Sequence, residues 1–292
     1  IKKFAALIAM GAAVFYMLLV GAPVPTQRAV IMTGLVFTAI LFDRSPLSFR
    51  LAAVAAITIM LVRPESVAEV SFQLSFAAVL SLIAFYGWAY RHMPKDFYSR
   101  HILSRLGYYF LGVTMTTVIA SIATAPLTLY HFQHFAVLGV LSNLVAVPLV
   151  TFIIMPLALI GLLAMPLGLE GFIFEMMGHA IEWLISVAHS VAEMEWAVIH
   201  MPQWPIYAIG LCVLGGLVLM ITNAPLRYAG IVLIVVGFGL STRLALPDIL
   251  VSENAELVGV YQNNRLAVNT RRAEKYTSNS WAEMLGLDAE ED

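Results

Sequence analysis

The stretch SFQLSFAAV, Ser71–Val79, begins a run that is long and apolar enough to cross a bilayer. Its first turns nevertheless contain the polar residues Ser71, Gln73 and Ser75. A polar group that enters an apolar environment without a hydrogen bond costs about 1–3 kcal/mol. The stretch therefore predicts a membrane-spanning helix whose polar side chains face a neighbouring helix or water in a cavity.

Composition extends this prediction to most of the chain. The sequence has 292 residues, of which 61% are hydrophobic and 12% are charged. Soluble domains contain about 25% charged residues, so the composition excludes an ordinary soluble domain. A single cysteine, Cys212, excludes an internal disulfide and a four-cysteine zinc site. Because the first residue is Ile1 and not Met, we expect the sequence to be part of a longer chain.

Apolar runs predict an all-α polytopic membrane bundle of about 7–9 spans. Seven runs are good candidates: residues 4–20, 29–42, 49–62, 72–90, 106–125, 206–222 and 228–246. Residues 138–167 contain Pro148, Pro156 and Pro166, which predict broken or re-entrant helices in the middle of the chain. Two arrangements remain open there. One is a re-entrant hairpin followed by a surface helix, and the other is two spans, the second at about residues 171–196.

Basic residues predict the orientation, because Lys and Arg concentrate on the cytoplasmic side of a membrane. One orientation puts nine basic residues inside, Arg44, Lys95 and Arg100 among them, and three outside, namely Arg28, Arg63 and Arg243. It places the chain after Pro247 outside the cytoplasm. The charge also changes there, from +3 (12 basic and 9 acidic residues) before Pro247 to −5 (4 basic and 9 acidic) from it onward. We therefore predict a membrane domain of residues 1–246 and an extracytoplasmic tail of residues 247–292.

The tail has the alternating pattern of short β-strands. We predict strands at residues 249–252, 256–261 and 265–270, with Asn263-Asn264 as a hairpin turn. A helical turn at residues 280–285 should end at Gly286. Three strands and one turn are too few for an independent core. The tail is therefore either a small cap on the membrane part or the beginning of a larger domain.

A polar stripe is predicted in the second half of the membrane part. Within residues 171–196, polar side chains recur at spacings of 4, 3, 4, 3 and 4: Glu175, His179, Glu182, Ser186, His189 and Glu193. On a helix they fall within an arc of about 80°. The stripe is either the polar side of a surface helix, a pore wall or a ligand set. No recognised metal-binding spacing such as H-E-x-x-H is present.

Four polar clusters carry a family resemblance. They are residues 21–29 (GAPVPTQRA), 71–76 (SFQLSF), 123–135 (ATAPLTLYHFQHF) and 142–148 (SNLVAVP). Arg28, on the side where basic residues are disfavoured, should have a partner such as a lipid phosphate, a buried carboxylate or an anionic substrate. Taken in order over residues 21–150, the clusters resemble the ComEC competence-protein family.

The resemblance implies an inner-membrane channel for single-stranded DNA in natural transformation. It implies as partners the strand, membrane lipids, an external DNA receptor protein and a cytoplasmic ATPase or translocase. The residues that carry it, or that would line a channel, are Arg28, Ser71, Gln73, Ser75, Pro126, Asn143 and Pro148. Neutral polar walls would let a strand leave again, and no Lys or Arg stands between Arg105 and Arg227.

Catalysis is not expected of this chain. Some members of the family carry a metallo-β-lactamase-like domain with an H-x-H-x-D-H motif, and this sequence has neither that motif nor a nucleotide-binding one. We therefore expect no enzyme activity, no cofactor and no metal. Two alternatives remain: a transporter of a small polar or anionic solute, and a membrane-embedded hydrolase that uses Glu175, His179 and Glu182.

Overall fold

The computed structural model describes residues 2–41, 48–92, 102–222, 225–241, 247–262, 265–269 and 275–287. Predicted features at Arg44, Lys95, Arg100, Arg243 and the Asn263-Asn264 turn lie outside these ranges. The chain forms two compact units. The first comprises residues 1–93, 119–127 and 215–231, and the second comprises residues 94–118, 128–214 and 232–292. Because this division runs through three helices, the predicted domain boundary at Pro247 stays a prediction.

The first unit begins with four helices that pack in chain order. They are α1 (Lys2–Leu19), α2 (Val24–Leu41), α3 (Phe49–Val62) and α4 (Val70–His92). Their core joins Ala55 and Ile59 of α3 to Phe72 and Phe76 of α4, whose ring centroids are 4.3 Å apart. The two aromatic residues of SFQLSF thus lie in the core, as their spacing of one helical turn allows.

Short polar contacts shape the ends of these helices. Between α1 and α2, Gly21 and Ala22 have positive φ, and the Gln27 side-chain amide donates to the Ala22 carbonyl at 2.6 Å. The Ser48 hydroxyl caps α3 by accepting from the Leu51 amide at 3.3 Å. After α3 a 3-10 turn, Pro64–Ala68, leads into α4. The chain therefore reverses between α3 and α4 within a few residues.

Residues 139–164 form one continuous helical segment, so the predicted re-entrant hairpin is wrong. Helix α6 (Gly139–Leu149) passes into a π-helical turn, Val150–Ile154, and then into α7 (Met155–Ala164). The Met155 amide donates to the Val150 carbonyl, five residues back. The wider turn lies between Pro148 and Pro156, which have no N–H to donate, and the backbone stays helical through it.

Four further helices complete the part of the membrane region that the structure describes. Helix α5 (Ile102–Phe132) continues through Pro126, and α8 (Glu170–Ala192) packs against α6 and α7. The ring of Phe174 on α8 lies against Gly161 of α7, so a Cβ at position 161 would require the ring to move. Helices α9 (Ile206–Ile221) and α10 (Arg227–Ser241) follow.

Apolar helices of membrane-crossing length identify a membrane protein. In the described ranges, four helical segments are long and apolar enough to span a bilayer: Val70–His92, Leu106–Phe132, Gly139–Leu167 and Glu170–Ala192. Five apolar helices are shorter: Lys3–Leu19, Thr26–Leu41, Phe49–Val62, Ile206–Ile221 and Arg227–Ser241. The number of spans, expected to be about 7–9 from the sequence, stays a prediction.

Short strands occur in two places of the second unit. Strands β1 (His134–Ala136) and β2 (Val198–His200) pair antiparallel, with His134 opposite His200. In the tail, β3 (Ile249–Val251), β4 (Val258–Gln262) and β5 (Arg265–Val268) form an antiparallel sheet in that order. The predicted β-rich tail is confirmed.

A helix closes the tail and contacts the segment before α9. Helix α11 (Lys275–Leu285) begins five residues earlier than the predicted helical turn and ends before Gly286, whose φ is +75°. Leu257 and Leu285 are fully buried. The Gln203 amide donates to the Met284 carbonyl at 3.0 Å. The tail therefore obtains part of its packing from outside its own sequence.

Candidate functional site at the ends of helices α2, α3 and α4

An open pocket lies where α2 begins, α3 ends and α4 begins. Two arginines and one carboxylate meet three aliphatic side chains there. The lining residues are Gln27, Arg28, Ile31, Ile59, Val62, Arg63, Ser66 and Glu69. We call this site the Arg28 pocket. Residues far apart in sequence meet there because the three helices place these ends on the same side.

Arg28 is bonded to the SFQLSF motif. Its Nη1 donates to the Ser71 hydroxyl oxygen at 2.7 Å, across 43 residues of sequence. The sequence predicted a phosphate, a carboxylate or an anionic substrate as the partner of Arg28. The partner within the chain is instead a neutral hydroxyl, so the bond positions the guanidinium without neutralising its charge.

Gln73 stabilises the turn that forms one wall of the pocket. Its Nε2 donates to the Val67 carbonyl at 3.0 Å. Val67 belongs to the 3-10 turn between α3 and α4, so this bond ties the turn to the first helical turn of α4. The predicted role of Gln73 in lining a channel stays a prediction beside this structural one.

Ser66 holds the end of α3. Its side chain is buried, with 3% exposed, and its hydroxyl donates to the Arg63 carbonyl. This contact satisfies one of the carbonyl groups that a helix leaves unpaired at its C-terminus. Ser66, Ser71 and Gln73 therefore share one task, which is to fix the backbone and the guanidinium around the pocket.

The pocket has an excess of positive charge. Arg28 and Arg63 contribute two positive charges, and Glu69 contributes one negative charge. Among the residues that the structure describes, no ion pair joins either arginine to a carboxylate. The Glu69 carbonyl accepts from the Phe72 and Gln73 amides at the start of α4, where the helix dipole favours a carboxylate. The arginines are therefore available to an external anion.

The other predicted channel residues lie in different places. Ser75 is half-buried on α4, one turn beyond Ser71, and Pro126 lies in the part of α5 that belongs to the first unit. Asn143 is exposed on α6 and Pro148 is half-buried near its end, both in the second unit. The structure thus brings together Arg28, Ser71 and Gln73. For all seven residues the channel role stays a prediction.

Sequence reasoning missed the second arginine of the pocket. Arg63 was counted only among the basic residues that predict the orientation. Ser66 and Glu69 were not named as site residues. One signal could have found them: the RPES sequence, Arg63–Ser66, directly follows the apolar run at residues 49–62 and marks a tight turn with charged residues. Adjacent antiparallel helices bring the start of one run, the end of the next and the start of the one after it to the same side.

The polar stripe lies on the exposed side of α8. Glu175, His179, Glu182, Ser186 and His189 are all exposed, as is Glu193 just after the helix. The His179 Nδ1 and Glu182 Oε2 atoms are 3.4 Å apart, with 73% and 78% of the side chains exposed. Within the described ranges no group of three or more His, Cys, Asp or Glu residues could hold a metal ion. Both interpretations of the stripe, a pore wall and the polar side of a surface helix, stay predictions.

Comparison of the sequence with known proteins identifies the family of this chain. A sequence model of the Competence protein family matches residues 1–225. The chain belongs to the Competence protein family. The match includes the whole Arg28 pocket and ends before the tail. The family that the polar clusters resembled is thereby confirmed.

A curated relative agrees with the family match. ComE operon protein 3 of Bacillus subtilis (strain 168) is 26% identical over 182 residues, which are 62% of this chain and 22% of the relative. The chain thus spans about a fifth of the length of that relative. No solved structure matches the chain.

Proposed function

We propose that the chain forms a channel through which single-stranded DNA crosses the bacterial inner membrane during natural transformation. The observation that carries this proposal is the family match over residues 1–225, supported by the likeness to ComE operon protein 3. Competence is the state in which a cell takes up DNA. A membrane protein of such a family is suited to the step at which the strand crosses the membrane.

The distribution of charge supports a conduit. A strand that must leave again requires weak contacts at several places rather than one tight site. No Lys or Arg occurs between Arg105 and Arg227, whereas Arg28 and Arg63 meet at one end of three helices. We infer that the strand meets positive charge at the mouth and neutral walls beyond it.

Orientation and partners belong to the same proposal. We place the Arg28 pocket and the tail outside the cytoplasm, because only three of the twelve basic residues before Pro247 then lie outside. An external DNA receptor would deliver the strand. The chain has no G-x-x-x-x-G-K-[ST] motif, so a cytoplasmic ATPase or translocase would supply the energy. We assign no catalytic step to this chain.

The test is DNA import by a strain that lacks the gene. Fluorescent DNA is offered to the deletion strain, to the parent and to the deletion strain complemented with the intact gene. External nuclease then removes DNA that has not entered the cytoplasm. We expect protected label in the parent and the complemented strain, and surface-bound label alone in the deletion strain. Normal import by the deletion strain would contradict the channel function.

A further inference from the structure

We propose that the Arg28 pocket is a phosphodiester-binding site that receives the backbone of the incoming strand. This inference rests on the proposed function, because DNA uptake supplies the ligand. Arg28 and Arg63 are the charged donors, and the pocket combines them with the aliphatic side chains of Ile31, Ile59 and Val62. Nothing in the comparisons assigns a ligand to these residues.

The guanidinium of Arg28 is held ready for an anion. A guanidinium has five N–H donors in a planar fork that matches two phosphate oxygens. Nη1 is bonded to Ser71 at 2.7 Å, which fixes the direction of the fork while leaving other donors for a ligand. Because the Ser71 hydroxyl is neutral, the full positive charge of Arg28 is retained.

Arg63 supplies the second charge from a fixed backbone. The buried Ser66 hydroxyl donates to the Arg63 carbonyl. The Arg63 amide donates to the Ile59 carbonyl at 2.8 Å. Its side chain is half-buried at the end of α3, in the lining of the same pocket as Arg28. Two arginines from separate helices can therefore contact one phosphate or two consecutive phosphates.

The polarity of the pocket lining, and not the size of the pocket, suits the phosphodiester backbone. The space that the pocket encloses is only about 20 Å³, room for about one water molecule. A strand would therefore lie across the open side of the pocket, with a phosphate against the two arginines. The aliphatic side chains offer a surface for the sugar without any hydrogen bond to a base, so we expect binding to be independent of sequence.

Glu69 weakens the site and makes it reversible. Its carboxylate lines the same pocket and repels a phosphate. Gln at this position would remove the repulsion and keep nearly the same shape. Removal of Glu69 should therefore strengthen binding, whereas removal of either arginine should weaken it. These opposite signs distinguish the site from a general effect of unfolding.

The binding experiment uses the full chain in nanodiscs of neutral phosphatidylcholine. A fluorescent oligothymidylate is titrated at several salt concentrations, and its anisotropy gives the dissociation constant. We expect Arg28→Gln and Arg63→Gln each to weaken binding by at least about fivefold and to lower the salt slope by about 0.7 per lost phosphate contact. Glu69→Gln should tighten binding by about threefold.

Arg91→Gln is the matched control. It removes the same charge from the far end of α4, where the Arg91 Nε donates to the Gly87 carbonyl at 2.9 Å. We expect it to bind like the parent chain. An equal loss in Arg91→Gln, or unchanged binding in both pocket variants, would overturn the proposal. If Arg28→Gln fails to fold, as judged by gel filtration and circular dichroism, Arg63→Gln and Glu69→Gln carry the test.

A lipid headgroup offers the same phosphate chemistry, so a second arm separates the two sources. Nanodiscs with phosphatidylglycerol are prepared, and the lipid that co-purifies with each variant is measured. If Arg28→Gln and Arg63→Gln lose phosphatidylglycerol but bind oligothymidylate normally, the pocket is a lipid site and the proposal fails.

The two proposals can fail separately. If the deletion strain imports DNA normally while the pocket variants lose binding, the channel function fails and the pocket chemistry stands. If the deletion strain loses import while both pocket variants bind oligothymidylate like the parent chain, the channel function stands and the pocket assignment fails.

Discussion

Ser71 explains at the residue scale why a polar side chain begins an apolar helix. Its hydroxyl accepts from Arg28 at 2.7 Å, so the cost of its burial is offset by a charge-assisted bond. The sequence predicted that Arg28 and the SFQLSF motif both need partners. It did not predict that they are partners of each other, because helices that are apolar on most sides do not reveal which face turns to which neighbour.

Removal of this hydroxyl should destabilise the first unit. Ser71→Ala takes the acceptor away from Arg28, and we expect the free energy of unfolding to fall by about 1 kcal/mol. Ser71→Thr keeps a hydroxyl and serves as the control. The measurement is unfolding in detergent followed by circular dichroism. An equal loss in both variants would show that side-chain shape matters here and the hydroxyl does not.

Gln73 tests whether a polar residue of the motif is structural or lines a channel. Gln73→Leu removes the donor to the Val67 carbonyl, a bond of 3.0 Å. We expect a loss of about 0.6 kcal/mol, the average for hydrogen bonds in membrane proteins, and a matching fall in expression. Ser75→Ala, two residues further along α4, is the control for stability only. Unchanged stability together with lost DNA import would instead support the channel-lining role.

Helices α9 and α10 show at the element scale how glycine permits close packing. A Cβ at Gly230 would lie 2.6 Å from the Gly215 carbonyl oxygen and 2.8 Å from the Leu219 amide nitrogen. Both are backbone atoms, which cannot rotate away as a flexible side chain could. The two helices therefore approach each other in a way that any side chain at Gly230 would prevent.

Gly230→Ala should separate these two helices. We expect a destabilisation of about 1–3 kcal/mol, the usual cost of overpacking. Gly216→Ala is the control, because a Cβ there meets nothing within 4 Å. It should be neutral or slightly stabilising, since Ala favours helix. Thermal unfolding of both variants in the same detergent gives the comparison, and equal midpoints would refute the close contact.

Helix bounds were predictable where composition changes sharply, and less so at prolines. The run at residues 49–62 is helix α3 to the residue, because Ser48 caps one end and Pro64 follows the other. The prolines of residues 138–167 led to a predicted re-entrant hairpin, which is wrong. Sequence shows which amides are missing at Pro148 and Pro156, but not that a wider turn keeps the remaining backbone helical.

At the scale of the whole molecule, the family and the membrane character followed from the sequence, while the pocket did not. Composition and the order of the polar clusters are properties of the linear chain. The Arg28 pocket depends on contacts between α2, α3 and α4 across 43 residues, as the bond from Arg28 to Ser71 shows. Contacts of that kind follow from packing, which apolar runs of similar composition leave undetermined.

Orientation is the prediction that belongs to this scale. A phosphatase fused after Val251 should be active and a fluorescent protein fused there should be dark, because the tail is predicted to lie outside the cytoplasm. Fusions after His92, at the end of α4, should give the opposite pattern. The reverse result at both positions would invert the topology and move the Arg28 pocket to the cytoplasmic side.

The π-helical turn at Val150–Ile154 has a consequence for insertions and deletions. A π turn contains one residue more per hydrogen-bonded ring than an α turn. Insertion of a single residue into an α-helix therefore produces such a turn. Deletion of Phe152 should convert the turn to α-helix and keep α6 and α7 in register with α8. Deletion of Ala56 from α3 should rotate the rest of that helix by about 100° and abolish folding. The expression of the two deletion variants is measured by fluorescence-detected gel filtration. We expect a folded protein when Phe152 is deleted and none when Ala56 is deleted.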